Sequence, residues 1–246
     1  MKHVAIDNPE AWLYPQDFQE AARIQRTLAS QVECVDRLPE PVRILAGIDV
    51  SNNPRDPDNL VYTAIVLLDA VSLQPLETLC RVSVAPLPYR SGFLAFREAP
   101  AVIELLREHP LQPDLLFVDG HGISHPRGLG IASQIGVLLD RPSIGVAKSL
   151  LVGSLESPLA ESPGSRSPVL WQGRTLGMAL RSRARANPLY ISPGHRTSLE
   201  TAMSWVIRTL SGYRLPEPTR RAHAAANDCR QGRSSSEVSP QTKLAL

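Results

Sequence analysis

Cysteine is scarce and unpatterned in this chain of 246 residues: Cys34, Cys80 and Cys229 are odd in number, far apart and without C-x-x-C spacing. That excludes a disulfide framework and a thiolate metal cluster, and it suits a reducing cytoplasm. Long apolar runs are also missing. No stretch approaches the roughly eighteen apolar residues of a membrane span, and the opening MKHVAIDNPEAW has no apolar core of an export signal, so a cytoplasmic protein without membrane partners is expected. Charge of one sign is not in excess either. A formal net charge of +2 does not mark the whole chain as a polyanion binder. The arginines are uneven, however: Arg174, Arg181, Arg183, Arg185, Arg196, Arg208, Arg214, Arg220 and Arg221 all fall in the second half, either as a local basic face or as an ordinary solvated surface. Internal repeats are absent.

What is present is enough apolar sequence, 43%, to build one sizeable α/β domain. Residues 1–15 read as a loosely held arm and 16–228 as the folded domain. The tail 229–246, polar and low in large apolar residues, is expected to be disordered. From Gln16 to Cys34, Phe18, Ala22, Ile24, Leu28 and Val32 recur near helical spacing, with Asp17 and Glu20 where acidic groups favour a helix start. Three strand candidates follow, Val42–Val50, Val61–Leu68 and Leu76–Val84, as an antiparallel meander. A helix from Gly92 carries Phe93, Phe96, Val102, Ile103 and Leu106, and Pro100 requires either a first-turn position or a kink, which puts Glu98 near the helix start.

The centre of the chain is Leu115–Lys148, LLFVDGHGISHPRGLGIASQIGVLLDRPSIGVAK: a buried strand, a polar loop, a helix over Gly128–Leu139 and a strand at Ser143–Ala147. Beyond it, 154–168 reads as a surface loop. Val169–Arg181 and Leu189–Ile191 read as further strands with a turn at Gln172–Gly173. Ser198 caps a helix to Leu210, and Pro216–Ala226 forms a last one. A meander followed by alternating helix and strand implies a mixed central sheet flanked by helices, in a single domain.

The chemistry sits where strands turn polar. LLFV meets Asp119 and ILAGI meets Asp49, and ligands bind at the carboxyl ends of strands in open α/β sheets. Alone, each aspartate is as well explained by a turn or a cap. If the two strands are parallel neighbours, both carboxylates leave the sheet at one edge and can share a cation, with Glu98 as a third oxygen ligand. Carboxylates without thiolates suit Mg²⁺ or Mn²⁺, and such an ion acts naturally on phosphate, so phosphodiester hydrolysis is expected. Lys148 would stabilise phosphate charge or orient water, its alternative being a snorkelling surface lysine. His125 would donate a proton or a hydrogen bond. His121 and His125 have a zinc-like H-x₃-H spacing, but Gly122 and Pro126 put them on a loop, and the glycines of GHGISHPRGLG miss the dinucleotide spacing.

DGHGISHPRGLGIAS, with PSIGVAKS, GIDV, FREAP and PEPTRRAH, occurring in the family's order from about Phe18 to Asp228, resembles endonuclease V, a nuclease family of the ribonuclease H-like fold. The resemblance implies a DNA repair enzyme. Its expected reaction is hydrolysis, by metal-activated water, of the second phosphodiester bond 3′ to deoxyinosine, with Mg²⁺ or in its place Mn²⁺. By resemblance Asp49, Glu98 and Asp119 are the metal carboxylates, and His125, Lys148 and His223 the other catalytic residues. Tyr89 is the wedge that holds the duplex open, and Leu94, Gly120 and Ile131 form the base pocket. The bland reading of Leu94 and Ile131 is core. The chain departs from the usual PYxP wedge pattern, carrying Ser91 at the second proline, which implies a more flexible wedge loop. The expected partner is DNA containing deoxyinosine, with inosine-containing RNA or single strands as further substrates, acted on by a monomer. A junction or hybrid nuclease and a non-catalytic nucleic-acid-binding module are the other readings, since fold alone does not fix function.

Overall fold

The computed structural model describes residues 10–53 and 56–233. Its centre is a mixed sheet of β1 (Ile44–Asn52), β2 (Leu60–Asp69), β3 (Pro75–Val84), β4 (Leu115–Val118), β5 (Ser143–Ala147), β6 (Ser154–Leu155), β7 (Arg166–Trp171), β8 (Arg174–Leu180) and β9 (Leu189–His195), in the order β3-β2-β1-β4-β5-β9-β8-β7-β6. β1 pairs with β4, and β4 with β5, in parallel; the remaining pairs are antiparallel. The expected meander and single mixed-sheet domain are therefore present.

Period-2 alternation makes this a two-faced sheet. Ala46, Ile48, Ile65, Leu67, Leu116 and Val118 face one core, covered by α1 (Phe18–Ala29), α2 (Leu94–Glu108) and α3 (Ile131–Leu139). Leu45, Val66, Leu68, Leu115, Phe117, Ile144 and Val146 face the other, covered by α4 (Leu199–Arg208) and α5 (Glu217–Arg230). Each fully buried Leu, Ile or Phe on these faces contributes ~1.5–3 kcal/mol. Caps set the helix starts as the sequence implies: Asp17 accepts from Glu20 N–H at 2.7 Å and Ser198 from Thr201 N–H at 3.1 Å.

Several boundaries differ from expectation. The presumed arm is tied down: Leu13 is buried, and Tyr14 Oη donates to Glu104 at 2.5 Å. Residues 1–9 lie outside the described residues. Pro100 is the seventh residue of α2, past its first turn, and Glu98 is the fifth. The helix expected from Gly128 begins at Ile131, because residues 128–130 still belong to the loop that turns out of β4. The 154–168 loop contains β6 and the first residues of β7. The turn at Gln172–Gly173 has φ of 50° and 74°, the paired positive values of a tight hairpin turn joining β7 to β8. α5 runs on to Arg230 with Cys229 buried against the sheet, so order extends into the expected tail. Residues 234–246 of that tail are outside the described residues.

Candidate metal and nucleic-acid site

The parallel register of β1 and β4, Leu45 opposite Leu115 through Ile48 opposite Val118, sets Asp49 beside Asp119 one step further on. Asp119 N–H donates to Ile48 O at 2.9 Å and fixes the pair at the carboxyl edge of the sheet. A third group arrives from α5. Gly47 lets that helix lie directly on β1, because a Cβ there would stand 1.9 Å from Pro218 O. The close approach carries His223 over Asp49, with Nδ1 2.6 Å from Asp49 Oδ2. Asn227 Nδ2 lies 3.3 Å from His223 Nε2, which matches a ring protonated at Nδ1 and donating to Asp49. One ligand atom from each of Asp49, Asp119 and His223 lies within 4.8 Å of the others. Lys148, just beyond β5, forms an ion pair with Asp119 and stands 3.3 Å from His223 Nδ1.

Glu98 falls outside this three-residue group, contrary to the expected carboxylate trio. Buried on α2, it accepts from Asn52 Nδ2 at 2.7 Å. Burial first, then the charges of Asp49 and Asp119, push its carboxyl well above the usual range. Asp119 is raised to about 6, by burial and then by Asp49, against the pull of Lys148. Two carboxylates and an imidazole that converge while the acids resist ionising together fit a divalent cation, which would offset the repulsion. Oxygen and nitrogen donors without thiolate favour Mg²⁺ or Mn²⁺ over softer ions.

Beside the cluster the loop of DGHGISHPRG forms a second feature. Gly120 has φ +148°, a conformation side chains rarely adopt, and a Cβ there would stand 2.5 Å from Ile131 Cγ2. Tyr89, Leu94, His121, His125 and Ile131 help line a cavity of about 200 Å³. Ile131 serves the core at the same time, whereas Leu94 is half-buried and Tyr89 is exposed at the mouth. His121 Nε2 is 2.9 Å from Ser149 O, and His125 Nε2 is 3.0 Å from Gly92 O, so the two histidines serve separate contacts. His125 also accepts from Arg127 N–H at Nδ1, at 3.2 Å, and burial lowers its pKa to about 4. Both ring nitrogens are engaged, so in the free protein His125 holds the backbone at Gly92 and Arg127.

Several of the second-half arginines are engaged within the chain. Arg196 pairs with Asp140, Arg220 and Arg221 pair with Glu217, and Arg181 and Arg214 donate to backbone carbonyls. His223 is the site residue that spacing alone missed. In TRRAHAA it has no local signal; the family resemblance of PEPTRRAH named it, and the packing of α5 on Gly47 shows how it reaches Asp49.

A sheet ordered β3-β2-β1-β4-β5, with its acidic groups gathered where β1 and β4 end, assigns the chain to the ribonuclease H-like nucleases. Comparison with known proteins narrows the class. The profile of the family described as Endonuclease V matches residues 26–224. Endonuclease V of Rhodospirillum centenum is 53% identical over 230 residues, covering 92% of this chain and 95% of the relative. The crystal structure of Endonuclease V from Streptomyces avermitilis superposes with a TM-score of 0.81 at 34% identity, covering 89% and 95% of the two chains. That of Ciona intestinalis Endonuclease V, in complex with a 24mer DNA containing an inosine followed by a ribo-adenosine, gives 0.76 at 25% identity, covering 88% and 99%. This chain belongs to the endonuclease V family, and it is an endonuclease. Among the described residues no helix is long and apolar enough to cross a membrane.

Proposed function

We propose that the chain hydrolyses the second phosphodiester bond 3′ to deoxyinosine in DNA and leaves the base in place. The observation that carries this reading is adjacency: one loop, from Asp119 to His125, contributes both to the acidic cluster and to the wall of the cavity. Asp49 and Asp119 would hold a Mg²⁺ or Mn²⁺ ion, with Glu98, whose carboxyl feels the charge of both, as the third oxygen donor. When bound, such an ion polarises a phosphate oxygen and lowers the pKa of water.

The chain's own residues do the rest. Lys148 brings positive charge to the edge where the phosphate lies, and it exchanges its Asp119 contact for the phosphate as negative charge builds. His223, between Asp49 and Lys148, orients these two and offers a ring nitrogen for proton transfer. His125 positions the pocket by holding Gly92 O, four residues before Phe96 on the segment that carries Tyr89. Tyr89 stacks into the gap left by the extruded base, and the wall at Ile131, which Gly120 backs without itself lining the cavity, excludes the exocyclic amine that guanine has and inosine lacks. Inosine also pairs with cytosine less strongly than guanine does, which lowers the cost of extrusion.

A second substrate has support from a relative: the nucleic acid bound to the Ciona protein carries a ribo-adenosine after its inosine, so a ribose is accommodated there. We extend the proposal to inosine-containing RNA, cut by a cytoplasmic monomer. The test is a nicking assay on matched inosine and guanine duplexes of DNA and of RNA, with Mg²⁺ and with EDTA. The expected product is a nick at the second bond 3′ to inosine, lost in EDTA and absent with guanine. Equal cutting of the guanine duplex would overturn the proposal.

A further inference from the structure

On the far side of His125 from the acidic cluster lies a larger groove of about 440 Å³ that the reaction above does not use. Its walls come from the end of α1, from the His125–Gly128 turn, and from the tip of the β7–β8 hairpin. Trp171 and Arg174 flank the two-residue turn as the closing pair of that hairpin. The turn fixes where they point, since its positive φ values leave the tip little freedom. Trp171 is 37% exposed, and Arg174 is exposed without a side-chain hydrogen bond or ion pair among the described residues. Arg127 supplies a second cation to the lining, which includes no aspartate or glutamate. An exposed indole, an uncommitted guanidinium and no opposing carboxylate form the pairing that takes unpaired nucleotides, with aromatic stacking for a base and a cation for its phosphate.

His125 lines both this groove and the base cavity. His125 thus stands between the groove and the cavity, and the Asp119–His125 loop joins the cavity to the acidic cluster. A strand whose inosine fills the cavity and whose scissile bond, 3′ to it, lies at Asp119 must leave the cavity on the other side through its 5′ nucleotides.

The geometry points to a subsite for the nucleotides immediately 5′ to the lesion, with Trp171 stacking on a base and Arg174 holding a phosphate. This rests on the reading of the cavity as the inosine pocket and of cleavage as 3′ to it. The subsite gives the enzyme a grip on single-stranded or locally opened substrate that does not depend on the Tyr89 wedge.

The experiment uses single-stranded deoxyinosine oligonucleotides with zero, one, two or four nucleotides 5′ to the inosine and a constant 3′ side. Affinity is read by fluorescence anisotropy in EDTA, and cleavage in Mg²⁺. The parent is expected to gain about fivefold or more in affinity as the first two 5′ nucleotides are added, the change that ~1 kcal/mol of stacking gives. Trp171→Ala and Arg174→Ala should each flatten that gain while leaving the oligonucleotide with a 5′-terminal inosine unaffected, and Trp171→Phe should restore most of it. A gain in the parent that survives both alanine variants, or no gain with 5′ length, overturns the subsite. Failure of the parent to cut any of these oligonucleotides would count against the proposed function, while the anisotropy series would still decide whether the groove holds nucleotides.

Discussion

The acidic cluster and the base cavity share one loop but are opposite in electrostatic character. At the cluster, burial and mutual repulsion raise Asp119 to about 6 and Glu98 well above the carboxylate range, so the carboxylates are strained until a cation joins them. At the cavity, burial lowers His125 to about 4, and backbone partners take both its nitrogens. One region holds more buried acid than its Lys148 and His223 partners offset. The other is neutral, satisfied and already shaped. The difference teaches why substitutions in the two regions should fail differently: at the cluster activity falls while the fold gains, and at the cavity the shape itself is lost.

The largest break in this comparison is at the cluster. Asp49→Asn and Asp119→Asn should each lower kcat by ~10³-fold or more, the scale on which groups facing transition-state charge act. In EDTA, Asp119→Asn should also melt higher than the parent, since relieving the repulsion moves the midpoint by ~2–4 °C per kcal/mol in a chain of this size. Single-turnover kinetics and thermal melts check the pair, and a lower melting point in EDTA would sink the strained-cluster account. Next comes Tyr89→Ala, which should cut the preference for inosine over guanine by about five- to a hundredfold, on the ~1–3 kcal/mol scale of stacking, and leave metal binding unchanged. Gly120→Ala should cost ~1–3 kcal/mol of stability through its positive φ, measured by denaturant unfolding. Adding Ile131→Ala, which removes the Cγ2 that a Cβ at 120 would meet, would relieve the contact but not the backbone, so the loss should persist.

The smallest effect is also the sharpest contrast, because the two regions bend the pH dependence of stability in opposite directions. Asp119 has a folded pKa above its unfolded value of 3.8, so the folded state holds its proton longer, and the stability it gives at low pH is lost as pH rises from about 4 to 6. His125 has a folded pKa below its unfolded 6.5, so the unfolded state binds the proton first, and its stabilising contribution is lost as pH falls from 6.5 towards 4. In EDTA, His125→Gln should therefore flatten the decline of stability towards acid, and Asp119→Asn should steepen it. Each change in slope is bounded by ~1.4 kcal/mol per pH unit. Slopes that move the same way in both variants would contradict the contrast.

What the sequence made legible follows range. Asp49 and Asp119 were readable because each ends an apolar run, and a parallel pairing of those runs was enough to bring them together. The Gln172–Gly173 turn and the Ser198 cap were readable because their chemistry is local. His223 was not, since its place depends on α5 lying on Gly47, about 175 residues earlier, a contact with no periodicity to announce it. Glu98 was placed near a helix start by Pro100 and among the metal carboxylates by resemblance; the helix begins four residues earlier, at Leu94, and the carboxylate accepts from Asn52 while feeling the charges of Asp49 and Asp119. His125 was read as a donor from its place in the loop, and its two backbone partners became visible only in the fold. β7, β8 and β9 were readable as strands around the Gln172–Gly173 turn, whereas the two-residue β6 and the first residues of β7 were read as loop because so short a strand has no periodicity of its own until it pairs.

The central claim, that Asp49 and Asp119 form the core of a cation site, is tested most directly by Mn²⁺ binding followed by electron paramagnetic resonance at neutral pH. The account predicts that the parent takes up Mn²⁺, that Asp49→Asn and Asp119→Asn weaken binding by ~10-fold or more, and that Tyr89→Ala leaves it unchanged. Equal Mn²⁺ affinity in the parent and both aspartate variants would contradict it.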